Sequence, residues 1–343
     1  MKIIYSEKHT CHVPTHQLFG NGFHPAVEVP DRAERILKEL RDRKIGDIVK
    51  PYPFGIDALK TVHDEGLLDF LAGAYDAWEG SGRATEVGLI PDTFAMRSLT
   101  GIPETLLRRI GYYCFETQTP ILSGTWEAAQ QAAFCSLTGA ELLLAGESCA
   151  YALCRPPGHH AGRDLYGGYC YLNNAALAAH RLSETGRVAI LDLDYHHGNG
   201  SQAIFYDSQD VLFVSIHADP NFEYPYYSGY ARETGRGKGE GYTLNLPLPL
   251  GCQDDVYLAT LKRALGRLIA FDADFLVVSV GGDIFAEDPL SRFEVSDRVF
   301  NPMGRWVGEQ KKPTLFVQEG GYNLRAIGRC ITDVLEGFTG LCE

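Results

Sequence analysis

Five short apolar runs each break off into a cluster of glycine, histidine or acidic residues, at 150–154, 188–191, 211–216, 275–280 and 314–317. No other feature constrains the fold as much. A strand that is apolar on both faces has to be covered on both faces, which is the situation in a parallel sheet sandwiched between helices. Helix-like segments lie between the runs. Residues 174–184 are rich in Ala and Leu after Asn173, a good N-cap, and 255–271 and 128–145 carry apolar residues at helical spacing. In open parallel sheets the ligand site lies beyond the carboxyl ends of the strands. Every unusual polar cluster in this chain sits at such an end.

The sequence predicts one domain across residues 1–343, because no linker, low-complexity tract or fixed-period repeat divides it. Residues 80–124 depart from the pattern. They mix Pro91, Pro103 and Pro120 with scattered aromatics and acids, and they read as a long inserted loop. No apolar stretch approaches the length of a membrane span, and the first residues lack a signal-peptide pattern. Nine cysteines, scattered and without a Cys-x-x-Cys pair, point to reduced thiols in the cytoplasm. The net charge of −13 disfavours nucleic acid and anionic membranes and favours a cationic ligand.

The chemistry is concentrated after residues 188–191, where Asp192, Asp194 and His196 alternate along the chain and can share one face. Asp194 and His196, with Asp283 at the end of another strand, offer two carboxylates and an imidazole. That donor set suits a catalytic divalent cation with an open position, and zinc and iron(II) both fit it. Two anionic ligands leave a bound water less acidic, so a separate base is needed. His159 and His160 on the Pro156-Pro157-Gly158 turn can supply it. Tyr322, after Gly320 and Gly321, can donate its hydroxyl to an oxyanion. An ion-paired structural cluster is the competing interpretation of the Asp/His set, and a core tyrosine is the competing one for Tyr322.

The segments Arg155-Pro156-Pro157-Gly158-His159-His160, Asp192-Leu193-Asp194-Tyr195-His196-His197-Gly198-Asn199-Gly200, Gly281-Gly282-Asp283 and Glu319-Gly320-Gly321-Tyr322 occur in an order that resembles the zinc-dependent histone deacetylase and acetylpolyamine amidohydrolase family. Weaker matches are His24-Pro25 with Pro30-Asp31-Arg32, residues 168–174 and residues 123–129. The resemblance implies a single-domain arginase–deacetylase fold, α/β, with a central eight-stranded parallel sheet. It implies Asp194, His196 and Asp283 as zinc ligands, His160 as base and acid, His159 beside it oriented by Asp192, and Tyr322 on the oxyanion. It also implies two structural potassium ions, one at Asp192, Asp194, His196 and Ser215, the other at Phe205, Ser208, Val211 and Tyr242. Tyr169 and Tyr227 match positions of the acyl-channel wall. Asn199 stands where many members have aspartate, which leaves His160 less basic.

Residues 80–124 fall where the polyamine-specific members carry a loop that pairs two subunits and narrows the entrance. A homodimer acting on a small cationic acetylated amine follows from that resemblance, with Glu104 and Glu116 as acids that could pair with the amine. A protein acetyl-lysine deacetylase is the alternative within the family. A non-catalytic sensor of acetylated amines would lack a catalytic residue, and an arginase-like dimanganese hydrolase would need more bridging carboxylates.

Overall fold

The structure is a computed structural model that describes residues 1–20, 22–96 and 101–340. Among the described residues ten strands occur in chain order: β1 (Lys2–Ile4), β2 (His16–Phe19), β3 (Gly22–Pro25), β4 (Asp47–Val49), β5 (Cys149–Ala152), β6 (Val188–Asp192), β7 (Val211–Ala218), β8 (Thr243–Leu248), β9 (Phe275–Val280) and β10 (Thr314–Gln318). Eight of them form one sheet in the order β4-β1-β5-β10-β9-β6-β7-β8, and every pairing in it is parallel. β2 and β3 form a separate antiparallel hairpin. All five apolar runs are strands of the large sheet. Its edge strands β4 and β8, and the short β1, carry weaker apolar signals and were not anticipated.

Alternation along the strands divides the interior into two cores. Ala189, Leu191, Val278 and Phe316 face one core, which the helices Asp31–Arg43, Asp254–Phe271, Phe300–Gly308 and Ile327–Thr339 cover. Val188, Ile190, Val277, Leu315 and Val317 face the other, under the helices Glu65–Gly80, Thr125–Leu144 and Asn174–Ser183. Period-two side-chain geometry thus makes one strand serve two layers. The Asn173 side chain caps the third of these helices by accepting from the Ala176 amide at 2.9 Å, as the sequence predicts.

The excursion begins where the helix Glu65–Gly80 ends and stops one residue before the helix Thr125–Leu144. Its described part holds only two short helical turns, Leu106–Arg109 and Ile110–Tyr113, a bridge between Leu89 and Ile121 and one from Cys114 to Tyr166; residues 97–100 lie outside the described residues. Among the described residues no helix is long and apolar enough to cross a membrane.

Candidate active site

The four central strands β5, β10, β9 and β6 lie side by side, and their carboxyl ends carry the four polar clusters. Topology therefore gathers residues from positions 155–160, 192–199, 281–283 and 319–322 into one depression. Asp194, His196 and Asp283 are buried there, with one potential ligand atom of each within 4.8 Å of the others. His196 Nδ1 lies 3.2 Å from Asp283 Oδ2 and 3.4 Å from Asp194 Oδ1. Glycine is needed around them. A Cβ on Gly281 would come within 2.3 Å of Asp194 Oδ2, and one on Gly320 within 2.4 Å of Asp283 Oδ2.

Two buried carboxylates this close demand positive charge. Burial, and then the charge of Asp194, push the Asp283 carboxyl up to about 7. Burial also opposes ionisation of Asp194, but the charges of His159 and His196 and the bonds from His196 hold it well below the ordinary carboxylate range. Burial works against protonation of His196, yet its bonds to both aspartates lift it to about 9. The donor set fits a divalent cation, which would take the place of that proton.

Asp192, at the end of β6, is separated from this trio. Its Oδ2 lies 3.1 Å from His159 Nδ1 and its Oδ1 accepts the Asp194 amide. The strand ends at Asp192, so Asp194 and His196 sit in the following turn and the one-face alternation stops short of them. The partners of the two neighbouring histidines differ. Burial disfavours a charge on His159, but Asp192 and Asp194 overcome it and raise the imidazole to about 10. His160 instead faces Asn199, with Nδ1 2.7 Å from Oδ1. Burial, then the charges of His159 and His196, hold it well below 6.5. An amide oxygen can only accept, so Nδ1 carries the proton and Nε2 keeps a lone pair.

His160 and His196 line a cavity of about 530 Å³ together with Tyr169, Tyr224 and Tyr322. Tyr322 donates its amide to Asp288 Oδ2 at 2.6 Å, and its ring lies 4.7 Å from the Arg32 guanidinium. Burial, only partly offset by Arg32, raises its hydroxyl well above 10, so it remains a donor. Arg32 was singled out only as part of a weak motif. Its Nε and Nη2 donate to the carbonyls of Gly321 and Glu319 at 2.5 and 2.6 Å, and Nη1 donates to buried Glu28 at 2.8 Å. Glu319 also acts from behind. Its Oε2 accepts the amides of Gly158 and His159 at 2.7 and 3.1 Å, and Oε1 accepts from Ser279. Glu319 thus braces the histidine turn, a role that its place in the Glu-Gly-Gly-Tyr motif does not reveal.

Tyr169 stands in the cavity wall in a left-handed conformation, φ 64°, held by Thr119 Oγ1 on its amide and Gln17 on its hydroxyl. Gly168 before it has φ 59°, and a Cβ there would meet His160 Cδ2 at 2.4 Å. Only glycine lets the wall close on the base. The expectation for Tyr227 needs correction. It is 93% exposed and lies away from this cavity, because Tyr226 at φ 63° turns the chain and leaves Tyr224 in the wall, 4.9 Å from the His160 ring. Nothing in the sequence distinguishes Tyr224 from its neighbouring tyrosines.

The acids of the excursion also differ from expectation. Glu104 is exposed and is not among the residues lining the cavity. Glu116 reaches the cavity, but its carboxylate accepts from Gln118, Thr119 and Gly168, and burial raises its pKa. It holds the Tyr169 turn and presents no free charge. Of the expected potassium positions, Asp192 and Ser215 are register partners across β6 and β7, and Ser215 Oγ lies 2.8 Å from His217 Nδ1. Phe205, Ser208, Val211 and Tyr242 cluster at the entry to β7, where Ser208 donates to the Phe205 carbonyl and Phe213 to that of Tyr242.

Comparison with known proteins accords with this geometry. Residues 24–338 match the model of the histone deacetylase domain. The chain is 44% identical to acetylpolyamine amidohydrolase 2 of Pseudomonas aeruginosa over 99% of both chains. It is 43% identical to the acetylpolyamine amidohydrolase of Mycoplana ramosa, over 99% of this chain and all of that one. A crystal structure of the acetylpolyamine aminohydrolase from Burkholderia pseudomallei superposes with a TM-score of 0.92 at 35% identity, covering 99% of each. With its eight-stranded parallel sheet and its Asp-His-Asp centre beside a histidine pair, the chain belongs to the histone deacetylase family and is a deacetylase.

Proposed function

We propose that the protein hydrolyses small acetylated polyamines of the acetylputrescine and acetylcadaverine class, with zinc held by Asp194, His196 and Asp283. The observation that carries the chemistry is the contrast between the two histidines. A neutral His160 with a free Nε2 opens onto the cavity, while His159 is locked as an imidazolium behind it. A divalent cation held by Asp194, His196 and Asp283 would supply Lewis acidity to the scissile carbonyl and would make a water beside it more acidic. His160 takes the proton of that water as it attacks, and returns a proton to the amine as the C–N bond breaks. Tyr322, protonated and fixed by Asp288 and Arg32, hydrogen-bonds the oxyanion that forms. Tyr169 and Tyr224 flank the acyl chain.

The near full-length similarity to acetylpolyamine amidohydrolases supports the polyamine as substrate. Potassium at Asp192, Asp194, His196 and Ser215, and at Phe205, Ser208, Val211 and Tyr242, would lock the turn that carries the metal ligands. The exposed Phe94, Met96 and Ile102 support the inserted loop as the contact of a homodimer, which a sizing measurement tests. Free thiols at all eight described cysteines support a cytoplasmic location.

The test is kcat/KM of the zinc-loaded protein on N-acetylputrescine and N-acetylcadaverine beside an acetyl-lysine peptide. Preference for the small amines is the expected result. Preference for the peptide would overturn the substrate class and leave the chemistry intact.

A further inference from the structure

Besides residues 17–20 and 116–118, two loops contribute to the cavity lining outside the catalytic residues, one through 222–226 after β7 and one through 289–292 after β9. An ion pair joins them, with Arg292 Nη1 2.8 Å from Glu223 Oε1. Its two halves are unequal: the Glu223 side chain is 13% exposed and that of Arg292 60%. The main chain at Arg292 is anchored, since its amide donates to the Tyr195 hydroxyl at 3.1 Å. The guanidinium is therefore the solvent-side, movable half of a clasp whose carboxylate is fixed in the wall.

Among the described residues that line the cavity, Glu116 and Glu223 are the carboxylates and Arg292 is the permanent cation. The Glu116 oxygens are committed to their own turn. Glu223 is the carboxylate whose counter-charge can leave. We propose that Glu223 reads the distal ammonium of the substrate and that Arg292 is its exchangeable counter-ion, displaced when the ammonium arrives. The inference rests on the acetylated-polyamine reading and adds the residue that selects for the charge.

The balance of charges favours the exchange. A bare carboxylate inside a narrow cavity is costly, so a resting counter-ion is needed. An ion pair with an exposed arginine is weak, worth only a few-fold in equilibrium, so giving it up costs little. The incoming ammonium makes a charge-assisted bond in a less hydrated setting, where such bonds are stronger. A neutral ligand of equal length cannot displace Arg292 and gains nothing from Glu223.

The experiment compares kcat/KM of the metal-loaded enzyme on N-acetylputrescine and on N-pentylacetamide, which replaces the ammonium with a methyl group. The readout is the ratio between the two substrates, for wild type, Glu223→Gln and Arg292→Gln. Glu223→Gln should lower the ratio about tenfold. Arg292→Gln should raise it by roughly two- to fivefold, more at low salt. The opposite signs separate recognition from scaffolding, because a purely structural clasp lowers both substrates alike and leaves the ratio unchanged in both variants. Should Glu223→Gln fail to fold, Arg292→Gln decides alone: an unchanged or lowered ratio overturns the proposal. A wild type that prefers the acetyl-lysine peptide, or turns over neither amide, overturns the polyamine reading itself. An unchanged ratio in an enzyme that does prefer N-acetylputrescine overturns only the role of Glu223.

Discussion

The floor of the cavity and its rim are built by different means. On the floor, Asp194, Asp283, Glu319 and Asp192 are each buried and each bonded to backbone amides or to histidine. Around the rim, Phe19, Phe222 and Tyr226 are about half exposed, and the described part of the excursion is mostly without regular secondary structure. The floor hangs from strand ends, which the sheet fixes. The rim hangs from loops, whose positions depend on side-chain packing. Chemistry is thus held rigidly while the entrance can be altered at small cost to the scaffold.

If that division is right, substitutions on the floor should be severe and those on the rim selective. The largest effect should come from Asp283→Ala. Losing the metal's charge stabilisation, several kcal/mol, should cut kcat/KM roughly 10⁴-fold and abolish stoichiometric zinc in a metal assay. Full zinc occupancy with near-normal turnover would mean that the centre lies elsewhere. His160→Ala should cost about 10³-fold. His159→Ala should cost less and shift the pH profile. His160 titrates below 6.5, so activity falls as pH drops through that lower value, when Nε2 becomes protonated. Removing the His159 charge raises the His160 pKa, so the acidic limb should move upward toward 6.5. An unmoved limb would remove His160 as the titrating base.

Glu319→Gln tests the support beneath the floor. Its carboxylate is raised to about 7 by burial, with the His159 charge opposing, and it accepts two turn amides. The carboxamide oxygen can still accept both amides, but its NH2 cannot accept from Ser279 and the charge that supports the His159 imidazolium is lost, so a drop of about 10- to 100-fold in kcat, with KM little changed, is expected. The smallest effect should be at Tyr227, where replacement by Ala should change kcat/KM by less than about twofold, whereas Tyr224→Ala should raise KM clearly. A large effect at Tyr227 would place it in the rim after all.

The same division explains what could be learned from the sequence. Asp194, His196, Asp283, His160 and Tyr322 were legible because each follows a buried strand, and parallel order brings strand ends together whatever the loops do. The five central and inner strands were legible for the same reason. β1 and β4, three residues each, were too short to show a period. Residues acting across the chain left little local trace: Arg32, present only in a weak motif, reaches the carbonyl of Gly321, and Glu28, in no motif, pairs with Arg32 and Arg155. The rim was the least legible part, at Tyr227 and Glu104, since a loop's facing is decided by turns such as the left-handed Tyr226 and by contacts remote in sequence.

The position of β10 has a consequence for how the molecule is made. It is the last strand in chain order, yet it lies between β5 and β9 in the middle of the sheet. Until residues 314–318 emerge from the ribosome, the neighbours on either side have no partner along those edges. The two sets of strands stay apart, each with an unpaired flank prone to mispairing. Contacts of such long sequence separation slow the closing step. A shortened chain that stopped before β10 would retain Asp194, His196 and Asp283 in sequence and still fail to bring them into one centre with His160.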